Sequence, residues 1–150
     1  MTSHSESRVV PYSAELMFAI VADVERYPVF LPWVTALRVA SRDQMQGRDV
    51  LTARMTVGFK SFKESYTSRV VLDPAGRTID VVQTEGPFRQ LENHWRFTPA
   101  GEGCKIDFSI TFEFRNPILN AVAGAAFGRV MLRMTDAFLE RARTLSKKTA

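Results

Sequence analysis

Val24-Glu25-Arg26-Tyr27-Pro28-Val29-Phe30-Leu31-Pro32-Trp33 joins an amphipathic helix to a strand through two prolines and three large aromatics. Each proline lacks an N–H and disfavours the helical region for the residue before it, so Tyr27 and Leu31 are expected to end or bend whatever precedes them. The aromatics then need a dry surface. A proline-bent wall of Tyr27, Phe30, Leu31 and Trp33 suits the lining of a lipid-like pocket better than the positioning of reactive groups.

Upstream of this stretch, residues 8 to 12 read as a first strand, and Ser13 ahead of Glu15 and Leu16 marks a capped helix start. Leu16, Met17, Ile20, Val21 and Val24 recur at helical spacing. Downstream, the pattern changes to period two and keeps it until residue 114. Gln46-Gly47, Gly58, Pro74-Ala75-Gly76, Gly86-Pro87 and Gly101-Glu102-Gly103 divide that region into six strands.

Cys104, Ile106, Phe108, Ile110, Phe112 and Phe114 alternate with polar residues, giving one apolar face. Leu91, Asn93, Trp95 and Phe97 share a face of the preceding strand, which leaves His94 pointing outward. Asn116-Pro117 opens the last and longest helix, expected to run to about Leu145 with an apolar stripe of Leu119, Val122, Ala126, Val130, Met134, Phe138 and Leu145. Strand, helix, six strands and a long helix predict an α+β fold: a curved seven-stranded antiparallel sheet covered on one face.

That helix carries an unusual run of small residues. Ala121, Ala123, Gly124, Ala125, Ala126 and Gly128 either pack closely on the sheet or leave a space for a ligand, with Phe127, Met131 and Met134 as adaptable apolar lining.

The 150 residues, 45% of them apolar, are expected to form one domain spanning residues 1–150. No run approaches the roughly 20 apolar residues of a membrane span, and the first residues lack the apolar segment of a signal peptide, so a cytoplasmic location is expected. The lone cysteine, Cys104, permits no internal disulfide. A net charge of +4 favours contact with anionic surfaces, phospholipid or RNA. Its one local cluster, Arg141, Arg143, Lys147 and Lys148 after the helix, equally suits the negative end of the helix dipole.

Enzymatic signatures are missing: there is no nucleophile elbow, zinc-protease helix, phosphate loop or dinucleotide fingerprint. Of two histidines, His4 falls in a terminus expected to fray, and His94 sits on the strand parity opposite to that of Cys104. Polar residues on the inward parity carry more information. Asn93 and Gln83 need hydrogen-bond partners there, which a ligand carbonyl, a trapped water or solvent at a strand end could supply. Tyr66 could donate similarly, although both parities of its strand are mixed.

Several segments together resemble a family across essentially the whole chain: Val10-Pro11-Tyr12-Ser13-Ala14-Glu15, Tyr27-Pro28-Val29-Phe30-Leu31-Pro32-Trp33, Val57-Gly58-Phe59-Lys60, Gly86-Pro87-Phe88-Arg89-Gln90-Leu91, Trp95-Arg96-Phe97-Thr98-Pro99 and Phe112-Glu113-Phe114. The chain resembles the START-like, Bet v 1-type polyketide cyclase and coenzyme Q-binding proteins, related to the bacterial ribosome-association toxins. Val34 stands where that family often has cysteine after the tryptophan, which argues against a thiol role there.

The resemblance implies a helix-grip fold around a hydrophobic tunnel and non-enzymatic binding of a polyprenyl quinone such as ubiquinone, with no required cofactor. For the toxin-type relatives it implies the large ribosomal subunit as partner, and for others a cyclase that encloses its substrate. Phe30, Leu31, Trp33, Met55, Trp95, Phe127, Val130, Met131 and Met134 are expected to line the tunnel, with Tyr66 and Asn93 as further ligand contacts. Phe59, Phe88 and Ile118 are expected at an apolar mouth beside Lys60, Lys63 and Arg89, facing a membrane surface transiently at the inner leaflet. DNA is not expected as a partner.

Overall fold

The computed structural model describes the backbone of residues 2–59 and 62–149 and, except at 59, 62 and 147–149, their side chains. In chain order the elements are β1 (Thr2–Val10), α1 (Ala14–Ala22), a 3-10 turn (Val24–Arg26), α2 (Tyr27–Phe30), β2 (Val34–Met45), β3 (Arg48–Phe59), β4 (Phe62–Asp73), β5 (Thr78–Glu85), β6 (Phe88–Ala100), β7 (Gly103–Phe114) and α3 (Pro117–Thr149). The strands form one antiparallel sheet in the order β1-β7-β6-β5-β4-β3-β2. Six strands thus follow as a meander, and the first closes it by pairing with the last. Register shifts in β2, β5 and β6 mark irregular points where the ladders bend, as a sheet needs if it is to curve around a helix.

The alternation read from the sequence is the alternation seen. Cys104, Ile106, Phe108, Phe112 and Phe114 are buried on one face of β7, and Leu91, Trp95 and Phe97 on the same face of β6. His94 is exposed and its Nδ1 lies 2.6 Å from Asp80. Ser13 caps α1, its hydroxyl accepting from the Leu16 N–H at 3.1 Å. Asn116 does the same for α3, its side-chain oxygen accepting from Ile118 N at 2.9 Å and Leu119 N at 3.3 Å. The C-terminal half of α3 is packed closely: Ala142 is fully buried, and the Phe138 ring meets Tyr27, Phe30 and Trp95 at centroid distances of 5.5, 5.4 and 5.4 Å.

Four expectations need correcting. The first strand begins at Thr2, so His4 is no frayed residue; it pairs with Ile110 and its ring packs edge-on against Phe127 at 5.8 Å. The inward positions of β1 include His4, Glu6 and Arg8, whose polarity hid the strand, while Thr135 of α3 meets Glu6 across the seam with a 2.6 Å hydrogen bond.

Gly58 is no turn but lies inside β3, where its N–H donates to the Trp33 carbonyl at 2.8 Å. Tyr27 stays helical (φ −52°, ψ −42°) despite preceding Pro28, because its ring is enclosed and its hydroxyl donates to the Val21 carbonyl, which outweighs the pre-proline preference. Leu31, before Pro32, is extended as that preference requires. Finally, Arg141 and Arg143 lie within α3 rather than beyond it; Arg141 sits over the Phe30 ring and Arg143 pairs with Glu140.

Candidate functional site

Between the concave face of the sheet and the first half of α3 lies a cavity of about 280 Å³. Its existence follows from side-chain size. Ala123 and Ala126 face the sheet from α3, and across the gap the sheet offers Ala53 and Ser68 as direct partners on β3 and β4. Small residues on both sides leave the space between the backbones unfilled. Beyond them the void is bounded by Phe138 at one end, and at the other by an aromatic group in which Phe88 stacks on Phe114 at 4.3 Å and meets Tyr66 edge-on at 5.2 Å. Val122 both lines the cavity and is 53% exposed, so the opening lies beside the early turns of α3.

Leu31, Trp33, Met55, Tyr66, Phe88, Asn93, Trp95, Phe127, Val130, Met131 and Met134 all contribute to the wall. Phe30 does not: it lies on the far side of α2, between Phe138 and Arg141. Phe88 is wall rather than rim, only 6% exposed, because the turn before it folds back on Gln83, whose side chain both accepts from Phe88 N at 3.0 Å and donates to Phe88 O at 2.8 Å. Of the remaining rim residues, Ile118 is 75% exposed, Lys63 is exposed and Arg89 pairs loosely with Glu113 at 3.8 Å. The Phe59 side chain and Lys60 lie outside the described residues.

No charged side chain is part of this wall among the described residues. Its polar groups are few, and the protein already engages some of them. Asn93 accepts from Trp95 Nε1 at 2.8 Å and donates to the Ser109 carbonyl at 3.2 Å, so the amide expected to await a ligand fixes the indole instead. Gln83, which is not part of the wall, is likewise spent on the turn at Phe88. Tyr27 donates to Val21.

Two hydroxyls are left. Ser68 is 4% exposed with no hydrogen-bond partner at Oγ. Tyr66 is 9% exposed, and no hydrogen bond of its hydroxyl is seen among the described residues. Burial alone pushes the Tyr66 phenol well above its ordinary range. Burial first, then the neighbouring Tyr66 and Asp23, does the same for Tyr27. Cys104 is buried at the opposite end of the apolar face, its thiol also pushed up by burial and by Glu15.

Among the described residues, no cluster of His, Cys, Asp and Glu could hold a metal ion, and no helix is long and apolar enough to cross a membrane.

Comparison with known proteins places this geometry. The family described as "Polyketide cyclase / dehydrase and lipid transport" matches residues 10–139. The ribosome association toxin RatA of Pseudomonas aeruginosa is 37% identical, over 97% of this chain and 99% of that one. The mitochondrial coenzyme Q-binding protein COQ10 homolog B of Xenopus laevis is 34% identical over 93% of this chain and 57% of its own length. The solution structure of an 18 kDa protein from Caulobacter crescentus superposes with a TM-score of 0.84 at 34% identity, covering 98% of this chain and 99% of that one.

Proposed function

Because the chain belongs to the polyketide cyclase / dehydrase and lipid transport family, we propose that it binds and carries a neutral apolar small molecule, best a prenyl quinone, without transforming it. The observation that carries the reading is the uncharged wall around a 280 Å³ void. A fatty acid or phospholipid would bring a charge into a space lined, among the described residues, by no charged side chain, at a cost of several kcal/mol, whereas a quinone brings only carbonyls. The volume sits near the lower end of small-molecule sites, roughly 300–1,000 Å³, so it takes a ring and the first isoprene units while a longer tail leaves beside Val122. Apolar burial at about 25 cal/mol per Å² then supplies most of the affinity. The wall's hydroxyls, amide and thioethers form no acid–base pair, which supports carriage over catalysis.

The likeness to a coenzyme Q-binding protein supports the choice of ligand. Organic extraction of freshly purified protein followed by mass spectrometry tests it. A neutral prenyl quinone or comparable lipid at near-equal molar amount is the expected result. Protein that emerges empty and takes up no quinone from vesicles refutes the carrier reading.

The likeness to RatA favours a second reading, association with the large ribosomal subunit. One surface suits it: Arg38 and Arg54 are cross-strand partners on β2 and β3, Arg69 lies close by on β4, and all three are exposed on the side of the sheet away from the cavity. None has an ion-pair partner among the described residues. Docking on RNA phosphates through such a surface weakens steeply with salt, while uptake of a neutral quinone barely responds. Cosedimentation with ribosomal subunits across a salt series therefore separates the two readings.

A further inference from the structure

We propose that Tyr66 and Ser68 form a polar anchor inside the cavity, where their hydroxyls donate to the carbonyl oxygen of the ligand. The proposal rests on the carrier reading above and adds the group that reads the ligand's head.

The two residues are two apart on β4 and so project to the same face. Across from them on β3, Ser68 is in register with Ala53 and Tyr66 with Met55. The Ala53–Ser68 pair forms a recess between the larger Met55–Tyr66 and Leu51–Val70 pairs, and both its members line the cavity. On the other side Thr67 and Ser68 pair with Glu85 and Gln83, so Thr84 of β5 is an extra residue and the ladder is irregular beside Ser68.

Chemistry distinguishes this pair from the rest of the wall. Native proteins satisfy nearly all buried polar side chains, and an unpartnered one carries a desolvation penalty. Here Asn93, Gln83 and Tyr27 obey that rule through protein partners. Ser68 does not, although it is 96% buried by its 4% exposure and belongs to the cavity lining. Tyr66 beside it keeps its proton well past neutrality, so it remains a donor at any physiological pH. Two buried hydroxyl donors on a wall with no charged side chain among the described residues select a neutral oxygen acceptor. A carbonyl, with two lone pairs, can accept from both.

The test compares two probes, a decyl-substituted benzoquinone and decylbenzene, which share tail and ring size but differ in oxygen. For the unaltered protein the quinone should bind more tightly. Ser68→Ala and Tyr66→Phe should each weaken quinone binding about tenfold, the scale of one buried hydrogen bond, and leave decylbenzene binding unchanged. The infrared carbonyl stretch of bound quinone should lie below its value in hexane and move back up in either variant, a readout that a purely structural role would not shift.

Ser68→Ala should leave the empty protein equally or more stable, since it removes an unpartnered group. Should one variant fail to fold, the other and the carbonyl frequency decide. Unchanged quinone affinity and frequency in the folded variants would overturn the anchor while leaving the carrier standing. Failure of the unaltered protein to bind either probe would overturn both.

Discussion

Replacing Ala126 with leucine asks directly whether the space under α3 is empty. Ala126 is 8% exposed, belongs to a helix that tolerates leucine without loss of propensity, and faces the void. Leucine adds three carbons. If they enter empty space, each buried carbon contributes about 0.8 kcal/mol, roughly 2.4 in all. Ordering the new side chain costs about 0.5–1 kcal/mol.

The net gain is then about 1.5 kcal/mol. At about 2–4 °C per kcal/mol for a protein of this size, the melting temperature should rise by roughly 3–6 °C. The same carbons occupy about the room of three waters, on the order of 90 Å³, a third of the 280 Å³ available, so ligand capacity must fall. Opposite signs for stability and binding are the signature. The assay is thermal melting by circular dichroism on protein stripped of lipid by denaturation and organic washing, because residual ligand would raise the reference. In a filled core the same change overpacks and costs about 1–3 kcal/mol. A lowered melting temperature with undiminished ligand uptake would refute the reasoning.

Alkali should expose the tyrosines. Two of the three, Tyr27 and Tyr66, have phenols raised by burial, so above the unfolded value of about 10 the unfolded chain releases protons that the folded one keeps. The two phenols' contribution is therefore constant below pH 10 and falls above it by about 1.4 kcal/mol per pH unit for each phenol, added to the decline that the raised Cys104 thiol starts above about pH 8.5; urea midpoints from pH 9 to 11.5 should show this, with a slope above pH 10 shallower by about 1.4 kcal/mol per pH unit in Tyr66→Phe. Equal slopes in the two proteins would contradict the burial of Tyr66. Gly103→Ala should be far more damaging than any cavity substitution, because its Cβ would stand 1.9 Å from the Val10 carbonyl oxygen, a backbone atom with nowhere to move. A loss of roughly 4 kcal/mol by denaturant titration is expected, and a loss under 1 would show that β1 can shift freely.

The sheet was legible because its two faces have opposite chemistry: β6 and β7 alternate so regularly that their inward residues could be named from parity alone. The small half of α3 announced a gap for the same elementary reason, that alanine and glycine do not reach a partner. What escaped the reading depended on partners distant in sequence. β1 carries polar residues inward because Thr135 waits there on α3, 129 positions away. Phe88 is drawn from the rim into the wall by Gln83, which folds its turn back and lies five positions earlier on another strand. The partners of the inward polar groups are hidden from parity for a related reason. Parity marked Asn93 as inward but could not show that Trp95, two residues on, consumes it, nor decide the facing of β4, where Ser68 lies on the cavity side between Tyr66 and Val70.

Both tryptophans of the chain, Trp33 and Trp95, stand on the cavity wall, with none elsewhere to add background. The protein therefore carries a built-in optical probe. Quinones quench indole emission, so intrinsic fluorescence should report filling and emptying in real time, without label or separation. Single replacements at 33 and 95 would divide the signal between the two positions, turning the protein's own spectrum into a record of how far inside a guest has travelled.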